Sequence, residues 1–286
     1  MKHAYLILAH NEFPILKLLI KALDDKRNDI FVHFDKKVKV LPELQAEKAN
    51  LKVIDERIAV EWGDVSVIEA EYALFRCALE SGPYRYYHLL SGVDMALRRQ
   101  NDIHDFFERH NGKEFIGFSS GDLDSQIERK VRRYHLFAKN FRDEGFSFKR
   151  ISRFAFLKLQ DTFAIRRNQG IEFKKGTQWV SVTHSFLKYV VDAKPEVLRT
   201  YRYTFCPDEI FIQTLCWNSP FRRDVFDLDN EARGCQRKIG WNNNRLEEWT
   251  DKDYDELVKS DALFARKFSS AHIGVVQRLL KQVSNN

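Results

Sequence analysis

The sequence has little of what marks a membrane-spanning or disulfide-linked protein. Its early apolar run, Ala4 to Ala9, is far shorter than the roughly 20 residues that cross a bilayer. No long apolar region with a small-residue cleavage site follows, so a secretory signal peptide is not indicated. The four cysteines lack metal-ligand spacing, which is typical of free thiols in a reducing compartment. We therefore expect a cytoplasmic protein without a membrane anchor.

Nucleotide-binding and metalloprotease motifs are also missing. The sequence contains no GxxxxGK[ST], no GxGxxG and no HExxH pattern, which removes most support for ATP hydrolysis, dinucleotide binding and zinc proteolysis. There are only six prolines and twelve glycines among 286 residues, and no internal repeat. With 44% hydrophobic residues, including 23 Phe, the chain can form one large core. We expect a single domain, residues 1–286.

Positive charge is concentrated in one segment. The net charge is +6, and residues 128–175 contain 14 Lys or Arg against 5 Asp or Glu. Such a segment suits an anionic acceptor, an anionic membrane surface or nucleic acid, and a plain solvated face fits it equally well.

Strand and helix patterns alternate along the chain. Strands are expected at 3–9, 30–34, 51–54, 86–91, 115–118 and 179–183, because these are short apolar runs bounded by turn residues. Helical spacing of apolar residues is found at 12–23, 65–81, 103–110, 185–191, 208–217 and 274–283. This alternation predicts an α/β fold, a mostly parallel sheet with helices on both faces. Residues 122–175 are expected to form helices and loops outside the sheet.

Polar residues and glycines follow four of the predicted strands. They are His10-Asn11, Asp35, Trp62-Gly63 and the run Ser91 to Asp94. Ligands of parallel α/β sheets gather at the carboxyl ends of the strands, so this pattern indicates a nucleotide site.

A sugar-transfer reaction needs a base near the acceptor hydroxyl and cations beside the leaving diphosphate. Glu209 follows Pro207 at the predicted start of a helix, where a carboxylate is held firmly and its charge is favoured. Arg237 and Lys267 are the candidate phosphate ligands. From spacing alone, an ordinary charged first turn and two surface cations explain these residues at least as well.

Two DxD patterns, Asp122-Leu123-Asp124 and Asp227-Leu228-Asp229, match the motif by which many sugar transferases hold Mn²⁺ or Mg²⁺. The pattern is short and neither copy ends a convincing strand. A metal site is therefore not expected, and a metal-dependent enzyme using Asp122 and Asp124 stays as an alternative.

Eight segments, taken in order, resemble the core-2/I-branching β-1,6-N-acetylglucosaminyltransferase family, glycosyltransferase family 14, which also contains peptide O-xylosyltransferases. They are Tyr5 to His10, Phe31 to Asp35, Val60 to Gly63, Tyr87 to Asp94, Gly176 to Trp179, Pro207 to Glu209, Arg237 to Trp241 and Ala262 to Phe268. Each segment is weak alone, and the ordered set is specific. Gly240 departs from the Asp that relatives often carry.

The resemblance implies a single GT-A-like domain with a nucleotide-binding half (1–120) and an acceptor- and diphosphate-binding half (121–286). It also implies an inverting reaction, a UDP-sugar donor and no metal or other cofactor. By resemblance, Glu209 is the general base, and Arg237 and Lys267 bind the diphosphate. Leu8, Asp35 and Val60 fall in the uridine pocket and Asp94 beside the donor. We also place Trp179 and Asp208 at the acceptor.

The sequence therefore predicts an inverting, metal-independent transfer of GlcNAc or xylose from a UDP-sugar to a glycan or lipid-linked saccharide, in bacterial surface polysaccharide synthesis. A peripheral contact with the anionic inner membrane is expected, and nucleic acid is not. The alternative of another class is a non-enzymatic basic protein that binds polyanions through residues 128–175.

Overall fold

The fold is described by a computed structural model, which covers residues 2–121, 123–140, 148–242 and 245–284. Its strands are β1 (His3–Ala9), β2 (Asn28–Phe34), β3 (Asn50–Val53), β4 (Tyr86–Ser91), β5 (Asp94–Ala96), β6 (Ser181–Thr183), β7 (Arg237–Ile239), β8 (Trp241–Asn242), β9 (Arg245–Leu246) and β10 (Phe264–Arg266). Its α-helices are α1 (Phe13–Leu23), α2 (Ser66–Ser81), α3 (Gln100–Arg109), α4 (Asp124–Val131), α5 (Phe148–Thr162), α6 (His184–Asp192), α7 (Lys194–Tyr201), α8 (Phe211–Trp217), α9 (Glu231–Cys235), α10 (Tyr254–Lys259) and α11 (Ile273–Ser284).

The central sheet has the strand order β3-β2-β1-β4-β6. β1 pairs in parallel with β2 and with β4, and β2 pairs in parallel with β3. The edge strand β6 runs antiparallel to β4. A smaller sheet, β5-β10-β7, continues from the end of β4. The predicted α/β fold with a mostly parallel sheet is confirmed.

Helices cover both faces of the central sheet. Side chains of a strand point alternately to the two faces. In β1, Tyr5 and Ile7 belong to the core that contains buried residues of α1 and α11, whereas Ala4 and Leu6 belong to the core that contains those of α2 and α6. The predicted two-sided arrangement is therefore confirmed, and it fixes the carboxyl edge of the sheet between two packed layers.

Two predicted elements are wrong in detail. Residues 115–118 form no strand. Phe115 makes an isolated antiparallel bridge to Ser181, the first residue of β6, and Glu114 makes an isolated parallel bridge to Val225, so the pairing ends after single residues. The helix predicted over 208–217 begins only at Phe211, and Pro207–Glu209 is a separate 3₁₀ turn. Glu209 therefore lies on a tight turn ahead of the helix, not in the helix's first turn.

Across the residues that the structure describes, no helix is both long and apolar enough to span a membrane.

Candidate active site

The Glu209 carboxylate lies between two lysines. Its Oε2 is 2.9 Å from the Lys130 Nζ on α4 and 3.7 Å from the Lys175 Nζ. The Glu209 side chain is 36% exposed, whereas the two lysines are 12% and 20% exposed. A half-open carboxylate anchored by ammonium groups on its inner side has a fixed direction and remains reachable from solvent.

The backbone of Glu209 is also fixed, through Gly176. The Gly176 N–H donates to the Glu209 carbonyl at 2.9 Å. A Cβ on Gly176 would lie 1.9 Å from the carbonyl oxygen of Gly117, so only glycine fits where the backbone at residue 176 passes the backbone at residue 117. This close approach ties the turn that carries Glu209 to the segment 175–179.

Two further carboxyl groups lie behind Glu209. Burial, with a smaller contribution from the charge of Glu209, raises the pKa of Asp208 to about 7, and the Asp208 Oδ1 is buried without a hydrogen-bond partner. Burial also raises the pKa of Glu71 on α2, whose Oε1 accepts a hydrogen bond from Gln178 Nε2 at 2.5 Å. Buried carboxyl groups with raised pKa values and a base nearby are typical of functional sites.

A second cluster lies where β10 meets β5. The Arg266 Nε is 3.7 Å from the Asp94 Oδ1, and the Arg266 guanidinium lies 4.0 Å from the centre of the Trp179 ring. The Ser91 N–H donates to the other oxygen of Asp94 at 2.9 Å. Burial raises the pKa of Asp94 and lowers that of Arg266, and in each case the charge of the partner opposes the shift. The two groups therefore face each other at ion-pair distance in a dry setting, and within the described residues neither the Asp94 Oδ1 nor the Arg266 Nε has a hydrogen-bond partner.

Lys267, the next residue, points to a different partner. Its Nζ is 3.2 Å from the Glu248 Oε1, with the two side chains 33% and 40% exposed. Trp249 fixes the backbone here, because its indole N–H donates to the Arg266 carbonyl at 2.8 Å and its amide to the Lys267 carbonyl at 3.0 Å. Arg266 and Lys267 thus supply two adjacent cations on rigid backbone.

The segment 175–179 joins the two clusters. Lys175 contacts Glu209, Gly176 binds the Glu209 backbone, Gln178 binds Glu71, and Trp179 stacks on Arg266. Five consecutive residues therefore connect the proposed base to Arg266, the last residue of β10. Among the sequence-predicted residues, this segment connects Glu209 and its neighbour Asp208 with Trp179 and, through Arg266, with Asp94. Lys267 is adjacent to Arg266 in the chain, but its side chain pairs with Glu248.

The residues predicted for the uridine lie at the carboxyl edge of the central sheet. Leu8 pairs with His33 on one side and Ser91 on the other, and the Asp35 N–H donates to the Ala9 carbonyl at 2.9 Å. The Lys37 Nζ donates to the Val60 carbonyl and is 4.0 Å from the Asp35 Oδ2. Leu8, Asp35 and Val60 therefore lie along one rim, and Asp94 follows the same edge at the end of β4.

Arg237 lies close to the second cluster but is buried, on the strand β7 that pairs with β10. It is 1% exposed, and its guanidinium donates to the carbonyls of Cys235 and Val180 and to Ser181 Oγ at 2.8–3.1 Å. Burial lowers the pKa of Arg237 to about 10, which leaves it charged at neutral pH. With these donors in use beneath β4 and β6, its position does not support the predicted direct contact with a diphosphate.

The described residues of the two DxD patterns lie at a helix start and in a turn. Asp122 lies outside the described residues, and Asp124 is the first residue of α4. Asp227 accepts hydrogen bonds from the amides of Asp229 and Asn230 and pairs with Arg233 at 3.2 Å, which is a turn-capping role. Within the described ranges, no group of three or more His, Cys, Asp or Glu side chains is placed to hold a metal ion.

Sequence reasoning missed Arg266, Lys130 and Lys175. Arg266 stands beside Lys267 in the same quoted segment, so adjacency was an available signal. The two lysines belong to the basic segment 128–175, whose charge gave no indication of which cations face Glu209.

Comparisons with known proteins identify the family. The family model described as "Branch: Core-2/I-Branching enzyme" matches residues 3–263. The chain is 24% identical to Xylosyltransferase 2 of Rattus norvegicus and 25% identical to that of Homo sapiens, over 93% of this chain and 32% of each relative. It is 22% identical to Xylosyltransferase oxt of Drosophila pseudoobscura pseudoobscura, over 87% of this chain and 29% of the relative. The chain therefore spans about a third of the length of these curated relatives.

Among solved structures, the apo form of mouse Xyloside xylosyltransferase 1 aligns with 92% of this chain and 97% of its own, at 9% identity and a TM-score of 0.39. The chain belongs to the Core-2/I-Branching enzyme family. The predicted resemblance is confirmed, and with it the assignment to a family of glycosyltransferases.

Proposed function

We propose that this chain transfers a sugar from a UDP-sugar to a hydroxyl group of a glycan or lipid-linked saccharide, with inversion and without a metal ion. One observation carries the proposal: the segment 175–179 holds a half-exposed carboxylate at one end and stacks on a cation of the Arg266–Lys267 pair at the other. A base and a pair of leaving-group cations are the two parts that a direct displacement needs.

In this mechanism the Glu209 carboxylate takes the proton of the acceptor hydroxyl while the hydroxyl oxygen attacks the anomeric carbon. The bond from that carbon to the diphosphate oxygen breaks, and its electron pair leaves with UDP. Attack opposite the leaving group inverts the anomeric configuration. Arg266 and Lys267 stabilise the charge that grows on the diphosphate, since charged donors fixed in advance act without reorganising.

We assign the diphosphate to Arg266 and Lys267 rather than to Arg237, because Arg237 is 1% exposed and both terminal nitrogens of its guanidinium donate to backbone carbonyls and to Ser181. Lys267 must exchange Glu248 for a phosphate oxygen, which is a substitution of one anion for another. Leu8, Asp35 and Val60 are proposed to hold the uridine along the neighbouring rim. Trp179 and Asp208 face the acceptor side in this proposal.

The donor sugar is proposed to be GlcNAc or xylose, the second because the similar proteins are named as xylosyltransferases. The decisive experiment compares wild type with Glu209→Gln in UDP release from UDP-GlcNAc and UDP-xylose. Loss of a general base lowers turnover by about 10²- to 10⁴-fold, and UDP affinity measured by calorimetry should not change. The control is Glu43→Gln, an exposed carboxylate on a distant loop. Wild-type turnover by Glu209→Gln would refute the role of this base.

Metal independence is tested separately. Full turnover in EDTA is expected, because Arg266 and Lys267 supply the positive charge. Turnover that collapses in EDTA and returns with Mn²⁺ would instead support the metal-dependent alternative through Asp122 and Asp124. Stabilisation of the fold by UDP but not by other nucleotides separates a transferase from a polyanion-binding protein, whose binding would depend steeply on salt.

A further inference from the structure

Helix α5 exposes an unusual amount of apolar surface. Phe148, Ile151 and Phe154 follow one another at intervals of three residues, which places them on the same side of the helix, and they are 82%, 47% and 68% exposed. Leu159 in the last turn of α5 and Phe163 just after the helix continue this surface, at 49% and 67% exposure. Single exposed apolar residues are ordinary, but a contiguous group of this size marks an interaction site.

Positive charge borders the apolar residues. Lys149, Arg150 and Lys158 are exposed on the same helix, and Asp161 is its single acidic residue. Aromatic and branched apolar side chains bordered by lysine and arginine are the composition of helices that lie in a membrane interface. The long lysine and arginine side chains can reach lipid headgroups while the rings enter the acyl boundary.

The helix is fixed to the body of the protein, near the Glu209 site. Gln160 on its inner face accepts from the Tyr134 N–H at 2.8 Å and donates to the Tyr134 carbonyl at 3.0 Å. Asp161 pairs with Arg133 at 3.0 Å, just beyond α4, and α4 carries the Lys130 that contacts Glu209. Whatever binds the outer face of α5 is therefore one helix away from the proposed base.

We propose that the outer face of α5, with Phe163, docks on an anionic lipid bilayer. A second copy of the chain is disfavoured as the occupant, because pairing two such faces would bring together their like charges. An anionic bilayer offers what the face lacks: negative headgroups for the cations and hydrocarbon for the rings. This inference goes beyond the transfer reaction and does not depend on it.

Binding is measured by co-sedimentation of the whole chain with vesicles. One set is phosphatidylcholine alone, and in the other about a third of the lipid is phosphatidylglycerol, at low salt. We expect binding to the anionic vesicles and release at high salt, since surface electrostatics are screened. The double variant Phe148→Ser/Phe154→Ser should lower the affinity by on the order of a hundredfold, and Lys158→Gln by about fivefold.

Matched controls are Val40→Ser, since Val40 is 81% exposed on a distant loop, and Lys17→Gln on the exposed side of α1. Both should bind as wild type does. Absence of wild-type binding to anionic vesicles, or equal binding by the double phenylalanine variant, would overturn the proposal. So would a dimer in sedimentation velocity that the phenylalanine variant abolishes while vesicle binding is absent.

Discussion

The Asp94–Arg266 pair gives a prediction whose size follows from its burial. The two side chains are 1% and 11% exposed. The Ser91 N–H donates to the Asp94 Oδ2, whereas the Arg266 guanidinium faces the Asp94 Oδ1 at 3.7 Å as a counter-charge, beyond hydrogen-bond distance. Arg266→Met keeps much of the contact with Trp179 but leaves a carboxylate buried without its counter-charge. Breaking a buried pair in this way destabilises a protein by about 3–5 kcal/mol, which in a chain of this size lowers Tm by about 10 °C.

Asp94→Asn in the same chain should restore part of that loss. With both charges removed, no ion remains unpaired. What is missing is the cation–π contact of Arg266 with Trp179 and the charge that strengthens the hydrogen bond from the Ser91 N–H, together roughly 1–2 kcal/mol. The double variant Asp94→Asn/Arg266→Met is therefore expected to be more stable than Arg266→Met alone, by about 2 kcal/mol. Urea unfolding of the four proteins of the cycle, without UDP, measures this coupling.

The pH dependence supplies a second test of the same reasoning. Burial already raises the pKa of Asp94, and Arg266 opposes that rise. Without Arg266 the folded-state pKa rises further above the unfolded value, so the deficit of Arg266→Met is largest at neutral pH and shrinks as the pH falls and Asp94 takes up a proton. The exposed pair of Arg76 with Glu56 is the control, and Arg76→Met should lose less than about 1 kcal/mol. A double variant no more stable than Arg266→Met would refute the argument.

Three further predictions concern neighbouring groups. Gly176→Ala should lose about 3 kcal/mol in urea unfolding and lower turnover, because its Cβ would overlap the Gly117 carbonyl and push on the Glu209 backbone. Asp208→Asn should unfold at a higher temperature than wild type at pH 8, and by a smaller margin at pH 5. The folded-state pKa of Asp208 is about 7 and the usual value is 3.8, so this carboxyl lowers the stability of the wild type progressively as the pH rises between these two values. Burial lowers the pKa of His33 from 6.5 to about 4, and its Nε2 accepts a hydrogen bond from the Ile58 N–H. Wild-type stability should therefore fall as the pH drops from 6.5 to about 4. His33→Gln should reduce this dependence of the unfolding free energy on pH, measured by urea unfolding at several pH values.

Helices and strands with a clear periodic pattern of apolar residues could be predicted from the sequence. β1, β2, β4 and α2 agree with their predicted bounds to within two residues, because continuous apolar runs mark strands buried on both faces and the helical stripe of α2 marks its contact with the sheet. The short strands β5, β7 and β10 were not predicted. Each has three residues and forms only by pairing with another of the three, which is distant in the sequence. The local pattern of apolar residues carries no information about such pairing.

The sequence named some residues of the proposed site but none of the contacts between them. Glu209 and Lys267 were named from ordered motifs, yet nothing in the sequence pairs Glu209 with Lys130, 79 positions earlier. For Arg237 the predicted contact itself is not supported. In the sequence, an arginine near apolar residues is equally consistent with a phosphate ligand and with a buried donor to backbone carbonyls. The backbone of Val180 and Cys235 decides between these, and it comes into place only when the sheets assemble.

The placement of buried charge argues that this region is shaped by its chemistry and not by stability. Asp94, Arg266 and Arg237 are almost inaccessible to solvent, and Glu71 and Asp208 each carry a buried oxygen without a partner. Replacing buried ionic groups by apolar ones of similar volume is often neutral or stabilising, so burial of five such groups around one short segment opposes folding. Proteins break local rules of this kind mainly at functional sites. Because these buried groups lie along or beside residues 175–179, which join Glu209 to Arg266, we expect the reaction to take place along that segment.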